Sequence, residues 1–402
     1  MTQIPLFQPP SEWTPPEQFP DLSDAKEIAV DLETYDPNIK ETGPGWAVDN
    51  GYIVGVAIAV EGWKGYFPIR HEGGGNFDER ILKKQVQRIM DLPCDKIFHN
   101  AMYDVCWLRS MGLKINGRII DTMIAAGLVD ENRLRYDLNG VCRDYIKKGK
   151  DESALYAAAK EWGVDPKAEM YKLPAMYVGA YAERDAQLTF ELWQECKKEI
   201  LHQDIESIFN METELFPVLV DMRFLGVRVD QEQAYREKKL MLAEEKHLLG
   251  SVYADTKIEV QIWAARSIAK VFDKLGLPYD RTIKTKAPSF TKNFLSNHPH
   301  PIVKKIAKAR EINKAHTTFI DTILKYSLNG RIHAEINQLR SEGGGTVTGR
   351  FSMNNPNLQQ IPARNKDLGP RIRSLFLPEE DHTWGCFDYN QQEPRLVVHY
   401  AA

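Results

Sequence analysis

Asp31 and Glu33 lie two residues apart in Glu27-Ile-Ala-Val-Asp-Leu-Glu33, a run that reads as a β-strand. Side chains alternate across a strand, so both carboxylates point to one face. Two acids held that close are costly unless a cation neutralises them. A lone Asp-x-Glu is more often a pair of solvated acids at a strand end, but three further residues alter that balance. Asp104 closes His99-Asn-Ala-Met-Tyr-Asp104 after the next core strand pattern. Tyr181 and Asp185, in Tyr181-Ala-Glu-Arg-Asp185, are four apart and share one helical face. Clustered carboxylates of this kind suit hard cations such as Mg²⁺ or Mn²⁺. A second candidate pair, Asp388 and Glu393, stands in Trp384-Gly-Cys-Phe-Asp-Tyr-Asn-Gln-Gln-Glu-Pro-Arg395.

The elements that must position these groups are legible in outline. Pro9, Pro10, Pro15, Pro16 and Pro20 crowd residues 1–22 too densely for a helix or central strand, which makes this segment a loose leader. Strands are expected at Glu27–Glu33, Gly51–Val60, Lys64–Ile69 and from Lys96, with helices near 101–111 and 122–129. Strands alternating with helices imply a mixed α/β layer. A long helical pattern from about Ala180 to Ile208 leads to a helix stop at Gly226, followed by Val227-Arg-Val-Asp230. Further helices are expected over 231–255 and 262–275. Gly330–Asn337 alternates as a strand, and Gly343, Gly344 and Gly345 read as a turn before Thr348-Gly-Arg350. Asn100 and Asp121 each read equally as a support of the acidic site or as an ordinary cap or turn residue.

The chain has 402 residues, enough for two or three domains. No apolar run approaches the ~18 residues of a membrane span, and the first ten residues lack a signal-peptide pattern. Five cysteines form no Cys-x-x-Cys pair, which argues against a disulfide framework or a zinc site and for a reducing, cytoplasmic setting. The formal net charge of −4 conceals an uneven distribution. Between Arg281 and Lys314 nine basic residues face a single acid, Glu311. Such a run is usually a solvated helical face; the near absence of counter-charge points instead to phosphate contacts, with Lys284, Lys286 and Lys292 as candidates.

In order and spacing, Asp31, Glu33, Asp104, Tyr181 and Asp185 resemble the DEDDy 3′–5′ exonucleases that proofread for family A polymerases. Thr346-Val-Thr-Gly-Arg350-Phe-Ser, Asn357-Leu-Gln-Gln-Ile-Pro362, Asp388 and Glu393 resemble the start of the palm in family A DNA polymerases, the bacterial DNA polymerase I class. The resemblance implies an α/β, ribonuclease H-like exonuclease domain over 23–205. A helical thumb with linker helices would follow over 206–329, then the first part of a palm over 330–402. It implies two Mg²⁺ or Mn²⁺ ions ~4 Å apart on Asp31, Glu33, Asp104 and Asp185, with Tyr181 orienting the attacking water. Asp388 would bind metal from the end of a buried strand. Glu393 would crowd the sugar 2′ position and so exclude ribonucleotides. Arg350 would reach the primer-terminal region, and Asn357 and Gln360 would contact DNA. Gln392 and Pro394 depart from the motif, where aliphatic residues are usual; Pro394 fits the first turn of a following helix.

The implied partners are primer–template DNA and single-stranded 3′ ends, with no membrane. Fingers and a second palm carboxylate normally come later than Ala402. Exonuclease activity is therefore expected of this chain, and polymerisation is expected to need a complementing chain. Two other readings are a free-standing RNase D-like exonuclease and a non-catalytic DNA-binding assembly subunit. The palm motifs speak against the first, and the intact acid set against the second.

Overall fold

A computed structural model describes residues 9–340 and 345–401. Gly343 and Gly344 of the expected glycine turn lie outside the described residues. The chain forms two compact units, each built from two segments: Met1–Gly226 with His333–Ile361, and Val227–Ile332 with Pro362–Ala402.

The first unit centres on a five-stranded sheet of β1 (Glu27–Tyr35), β2 (Tyr52–Val60), β3 (Trp63–Pro68), β4 (Asp95–Phe98) and β5 (Ile119–Asp121), in the order β3-β2-β1-β4-β5. β1, β2 and β3 pair antiparallel, whereas β4 runs parallel to β1 and β5 to β4. The period-2 pattern of β1 divides the sheet into two unlike faces. Ile28, Val30 and Leu32 join Val56, Ile58 and Phe67 in one core with the helices Glu79–Met90 and Ala101–Ser110. The opposite face carries Ala29, Asp31 and Glu33, and the apolar residues that β1 and β2 add to the core there are small: Ala29, Ala57 and Ala59. Small residues let the helix Ala175–His202 lie close against β1 and β2. Gly55 stands opposite Glu33 in the β1–β2 register. A Cβ there would sit 2.2 Å from the Tyr66 hydroxyl, so the Tyr66 ring lies across the space that only a glycine leaves.

The proline-rich leader does not behave as a loose segment over its described part. Proline excludes it from helix and ladder but not from packing. The Trp13 Nε1 donates to Glu183 Oε1 at 2.8 Å, and the Trp13 ring fills the space left by Gly179 on the Ala175–His202 helix. Ser11 Oγ donates to the Met176 carbonyl, and Phe19 stacks on Phe67 at 4.6 Å.

The expected helix over 180–208 is two helices, Ala175–His202 and Glu206–Leu225, and the second stops at Gly226 with φ 68° as its sequence suggests. The Gly330–Asn337 strand is likewise divided. Arg331–Ile332 pairs with Val227–Val229 in the second unit, whereas Glu335–Asn337 pairs with Ser352–Asn354 in the first. Unit boundaries therefore do not follow 23–205, 206–329 and 330–402. The helix Glu206–Leu225 and the described residues of 333–361 both fold with the sheet. In the second unit, Asp230 caps the helix Gln231–Thr256 by accepting from the Gln233 amide at 2.8 Å. The helices Ala265–Leu275 and Pro301–Lys314 share a core of Val252, Ile268, Phe272, Phe290, Val303 and Ile306.

Because the Tyr66 ring occupies the place of a missing side chain, Gly55→Ala should destabilise the protein by ~1–3 kcal/mol through overpacking. Urea unfolding reads this directly. An unchanged midpoint would show that Tyr66 is not held against β2.

Candidate active site

β1 and β4 pair only through Ala29, after which the two strands part. The parting leaves the Leu32 amide without a strand partner, and Asp104 supplies one: its Oδ1 accepts from Leu32 N at 3.1 Å. Asp104 stands in the first turn of the helix that follows β4, so one hydrogen bond fixes that helix against β1 between Asp31 and Glu33. From the other side, the Ala175–His202 helix brings in Tyr181 and Asp185 one turn apart, both buried. Ligand oxygens of Asp31, Glu33 and Asp185 all lie within 4.8 Å of one another. Asp104 is outside that trio but close enough to Asp31 for their charges to interact.

The electrostatics are those of acids crowded out of water. Burial, and next the Asp185 charge, push the Asp31 carboxyl up to about 8 from its ordinary 3.8. Glu33, Asp104 and Asp185 are also raised, each chiefly by burial. Asp185 Oδ1 is buried without a hydrogen-bond partner. An orphaned carboxylate oxygen facing two further carboxylates is a set of hard oxygen donors short of a cation, and it fits a divalent ion such as Mg²⁺ or Mn²⁺. Tyr181 is raised well above the ordinary tyrosine range by burial and by Glu33, Asp185 and Asp31, so it stays a neutral hydroxyl able to orient a water.

Asp121 is a cap residue. Its carboxylate accepts from Asn100 N at 3.0 Å, Ala101 N at 2.8 Å and Met123 N at 2.8 Å, capping two helices at once. Asn100 takes a left-handed backbone (φ 65°) at the head of the Ala101–Ser110 helix, and its side chain makes no cap bond. His99 bridges Thr122 Oγ1 and the Tyr136 carbonyl, both at 2.8 Å, and burial pushes it down to about 4.

Three participants carry no motif. Tyr66 lies beneath Glu33, with its hydroxyl 2.8 Å from His71 Nε2; His71 Nδ1 is 3.0 Å from the Leu173 carbonyl. Lys150 lies inside the acidic cluster, with Nζ 2.5 Å from Asp185 Oδ2 and 3.4 Å from the Tyr181 hydroxyl. Burial acts to lower the Lys150 ammonium, but Asp185, Asp31 and Glu33 outweigh it and hold the group above its ordinary value. In the sequence Lys150 is one of three lysines in Lys147-Lys-Gly-Lys150, a run indistinguishable from a solvated turn.

The remaining candidates are dispersed. Lys284, Lys286 and Lys292 are exposed, the first two on a turn between the short strands Asp280–Arg281 and Pro288–Ser289. The basic run is not uniformly available for phosphate. Lys305 bonds Ser251 and Asp255, Lys308 pairs with Asp367, and Arg310 donates to the carbonyls of Ile262 and Phe290. Asn357 caps the turn Leu358–Gln360 by accepting from Gln359 N at 3.0 Å; Gln360 and Arg350 are exposed. Asp388 does not end a buried strand. It is exposed on an irregular segment, because Gly385–Asp388 pairs with no strand among the described residues. Glu393 lies exposed in the first turn of the helix Gln392–Ala401, as does Pro394.

Comparison with known proteins agrees with both halves of this arrangement. Residues 15–201 match the family described as 3′–5′ exonuclease, and residues 232–402 match DNA polymerase family A. The chain is 36% identical over 417 residues to a DNA-directed DNA polymerase of Pseudomonas phage M6, covering 99% of this chain and 62% of the relative. It is 30% identical to the DNA polymerase DpoZ of Acinetobacter phage SH-Ab 15497, covering 95% and 63%. It is 27% identical to DNA polymerase I of Synechocystis, covering 83% and 34%. The chain thus spans somewhat under two thirds of the length of these phage relatives. The POL domain of Pol1 from M. smegmatis, solved in complex with DNA primer-template and dNTP, shares the fold at TM-score 0.68 and 20% identity, covering 90% of this chain and 57% of that one. A free-standing exonuclease would not account for the match over 232–402. The chain is thus similar to 3′–5′ exonucleases over residues 15–201 and to family A DNA polymerases over residues 232–402, in that order along the sequence.

Proposed function

We propose that this chain hydrolyses DNA from the 3′ end at a two-cation centre held by Asp31, Glu33, Asp104 and Asp185, and that it serves as the proofreading part of a family A polymerase in DNA replication. The observation that carries the reading is the approach of the Asp31, Glu33 and Asp185 oxygens within 4.8 Å, with Asp185 Oδ1 buried and unpartnered. Bound divalent cations would activate a water and stabilise charge at the leaving 3′ oxygen. The protein's share is placement. Asp31 and Glu33 present oxygens from one strand, Asp185 from the facing helix, and Asp104 from the helix locked to Leu32. The neutral Tyr181 hydroxyl orients the water. The exonuclease family match over these residues supports the assignment.

The polymerase region is read in the same way, with Asp388 as a palm metal ligand, Glu393 as a gate against ribonucleotides, Arg350 near the primer terminus, and Asn357 and Gln360 in contact with DNA. Lys284, Lys286 and Lys292 would hold duplex phosphates without reading bases, the chemistry expected of exposed ammonium groups. The family match over 232–402 and a relative in complex with DNA primer-template support DNA as the ligand, in the cytoplasm where phage and bacterial polymerases work.

Three measurements test these assignments. Release of mononucleotides from a 5′-labelled single strand in Mg²⁺ or Mn²⁺ should fall by several orders of magnitude in Asp31→Ala with Glu33→Ala, since the metal ligands are gone. An unchanged rate would remove the acidic centre from the mechanism.

A carboxyl with a folded pKa of about 8, against an ordinary 3.8, keeps its proton in the fold over a range where the unfolded chain has lost it. Stability of the metal-free protein should therefore decline as pH rises from about 4 to about 8, and Mn²⁺ should flatten the decline by displacing those protons. Melting in EDTA and in Mn²⁺, for the parent and Asp31→Asn, isolates the effect. A parent decline no steeper than that of Asp31→Asn would contradict it.

Replacing Lys284, Lys286 and Lys292 by Ala should weaken duplex binding similarly for all sequences and flatten its salt dependence by about one unit of slope per lost contact. An unaltered slope would return these residues to the solvated surface.

A further inference from the structure

Lys150 has no part in the metal chemistry just described, yet among the described residues no other cationic side chain lies as deep in the site. Its side chain is 16% exposed, and Nζ reaches Asp185 Oδ2 at 2.5 Å, the Tyr181 hydroxyl at 3.4 Å, and the Tyr181 ring at 5.2 Å from its centroid. The backbone that carries it is held from two directions. Lys150 N donates to Asn139 Oδ1 at 3.0 Å, and the guanidinium of Arg184, the neighbour of Asp185, donates twice to the Gly149 carbonyl at 3.2 Å. The ammonium is therefore presented from a fixed turn rather than drifting in from the surface. Lys96, the other deeply buried lysine, differs in kind: its Nζ is saturated by the carbonyls of Leu92, Cys94 and Asn116 at 2.6–2.9 Å, as a structural lysine should be.

Charge balance shows what the Lys150 ammonium is for. The four carboxylates match two divalent cations, so with both ions held the acids no longer need a lysine. One positive charge is then left over, and a scissile phosphodiester brings one negative charge. On losing Asp185 to a cation, Lys150 keeps the Tyr181 hydroxyl as its partner.

Resting on the two-cation reading above, we propose that Lys150 is a positioning residue of the exonuclease reaction: it neutralises Asp185 in the cation-free site and, once the carboxylates are taken, holds Tyr181 in place for the attacking water. Two consequences separate this from a packing role. Lys150 competes with the metal at Asp185, so removing it should not weaken cation binding. It acts on the reacting geometry, so its loss should appear in kcat rather than KM.

The experiment uses the full chain with Lys150→Met and Lys150→Arg. Free Mn²⁺ is counted by electron paramagnetic resonance without DNA, and single-strand cleavage is followed to separate kcat from KM. Lys150→Met should bind Mn²⁺ at least as tightly as the parent and lose about 10²-fold in kcat, with KM within about threefold. Lys150→Arg, which keeps the charge, should retain at least about a tenth of the parent kcat. Weaker Mn²⁺ binding in Lys150→Met, a kcat within about threefold of the parent, or an arginine variant no better than the methionine one would each overturn the proposal. Should Lys150→Met fail to fold, Lys150→Gln takes its place under the same limits on Mn²⁺ binding and kcat. Asp31→Ala with Glu33→Ala distinguishes the underlying reading: intact Mn²⁺ binding and cleavage in that variant would remove the metal site itself, whereas the Lys150 outcomes bear only on Lys150.

Discussion

The first unit is organised around a repulsion. Asp31, Glu33, Asp104 and Asp185 cluster where burial raises every one of them above the ordinary carboxylate range, and the charge of a neighbouring acid of the cluster adds to it at Asp31, Glu33 and Asp104. No fold gathers such groups for its own stability, because each buried carboxylate is expensive without a cation. The surroundings reduce that cost locally. Leu32 N donates to Asp104, Lys150 faces Asp185, and neighbouring positions on the sheet face are alanine or glycine, so that the helix carrying Asp185 can approach.

The parting of β1 and β4 is the geometric counterpart of that charge. Continuous pairing past Ala29 would bind the Leu32 amide into a ladder and close the space beside Asp31 and Glu33. Stopping the ladder frees one donor, which Asp104 uses, and opens the edge on which the acids stand. Asp121 performs the complementary task behind the site. By capping the Ala101–Ser110 and Thr122–Val129 helices together, it fixes the turn after β4 from which Asp104 projects.

Charge in the second unit shows why a count of lysines does not identify a phosphate-binding surface. Lys305, Lys308 and Arg310 look equivalent to Lys284 and Lys286 in the sequence, yet they are engaged by Asp255, Asp367 and backbone carbonyls. Their helix packs against neighbours that supply those acceptors. The 282–287 turn projects from a short hairpin, and its lysines remain exposed. Exposure, rather than composition, separates the two sets.

Local physics made much of this protein readable from its residues alone. The alternation that puts Asp31 with Glu33, the four-residue spacing of Tyr181 and Asp185, and the stop at Gly226 each depend on periods of a single strand or helix. The exonuclease and polymerase motifs were legible for the same reason, as short runs whose spacing survives any packing. Tertiary structure decided what depends on distant partners. It packed Trp13 of the leader against Gly179, divided Gly330–Asn337 between two units, and left Asp388 exposed instead of at the end of a buried strand. It also placed Lys150 beside Asp185, 35 residues away along the chain. A lysine carries no periodic signal, and its role is set by which carboxylate the folded chain brings within reach.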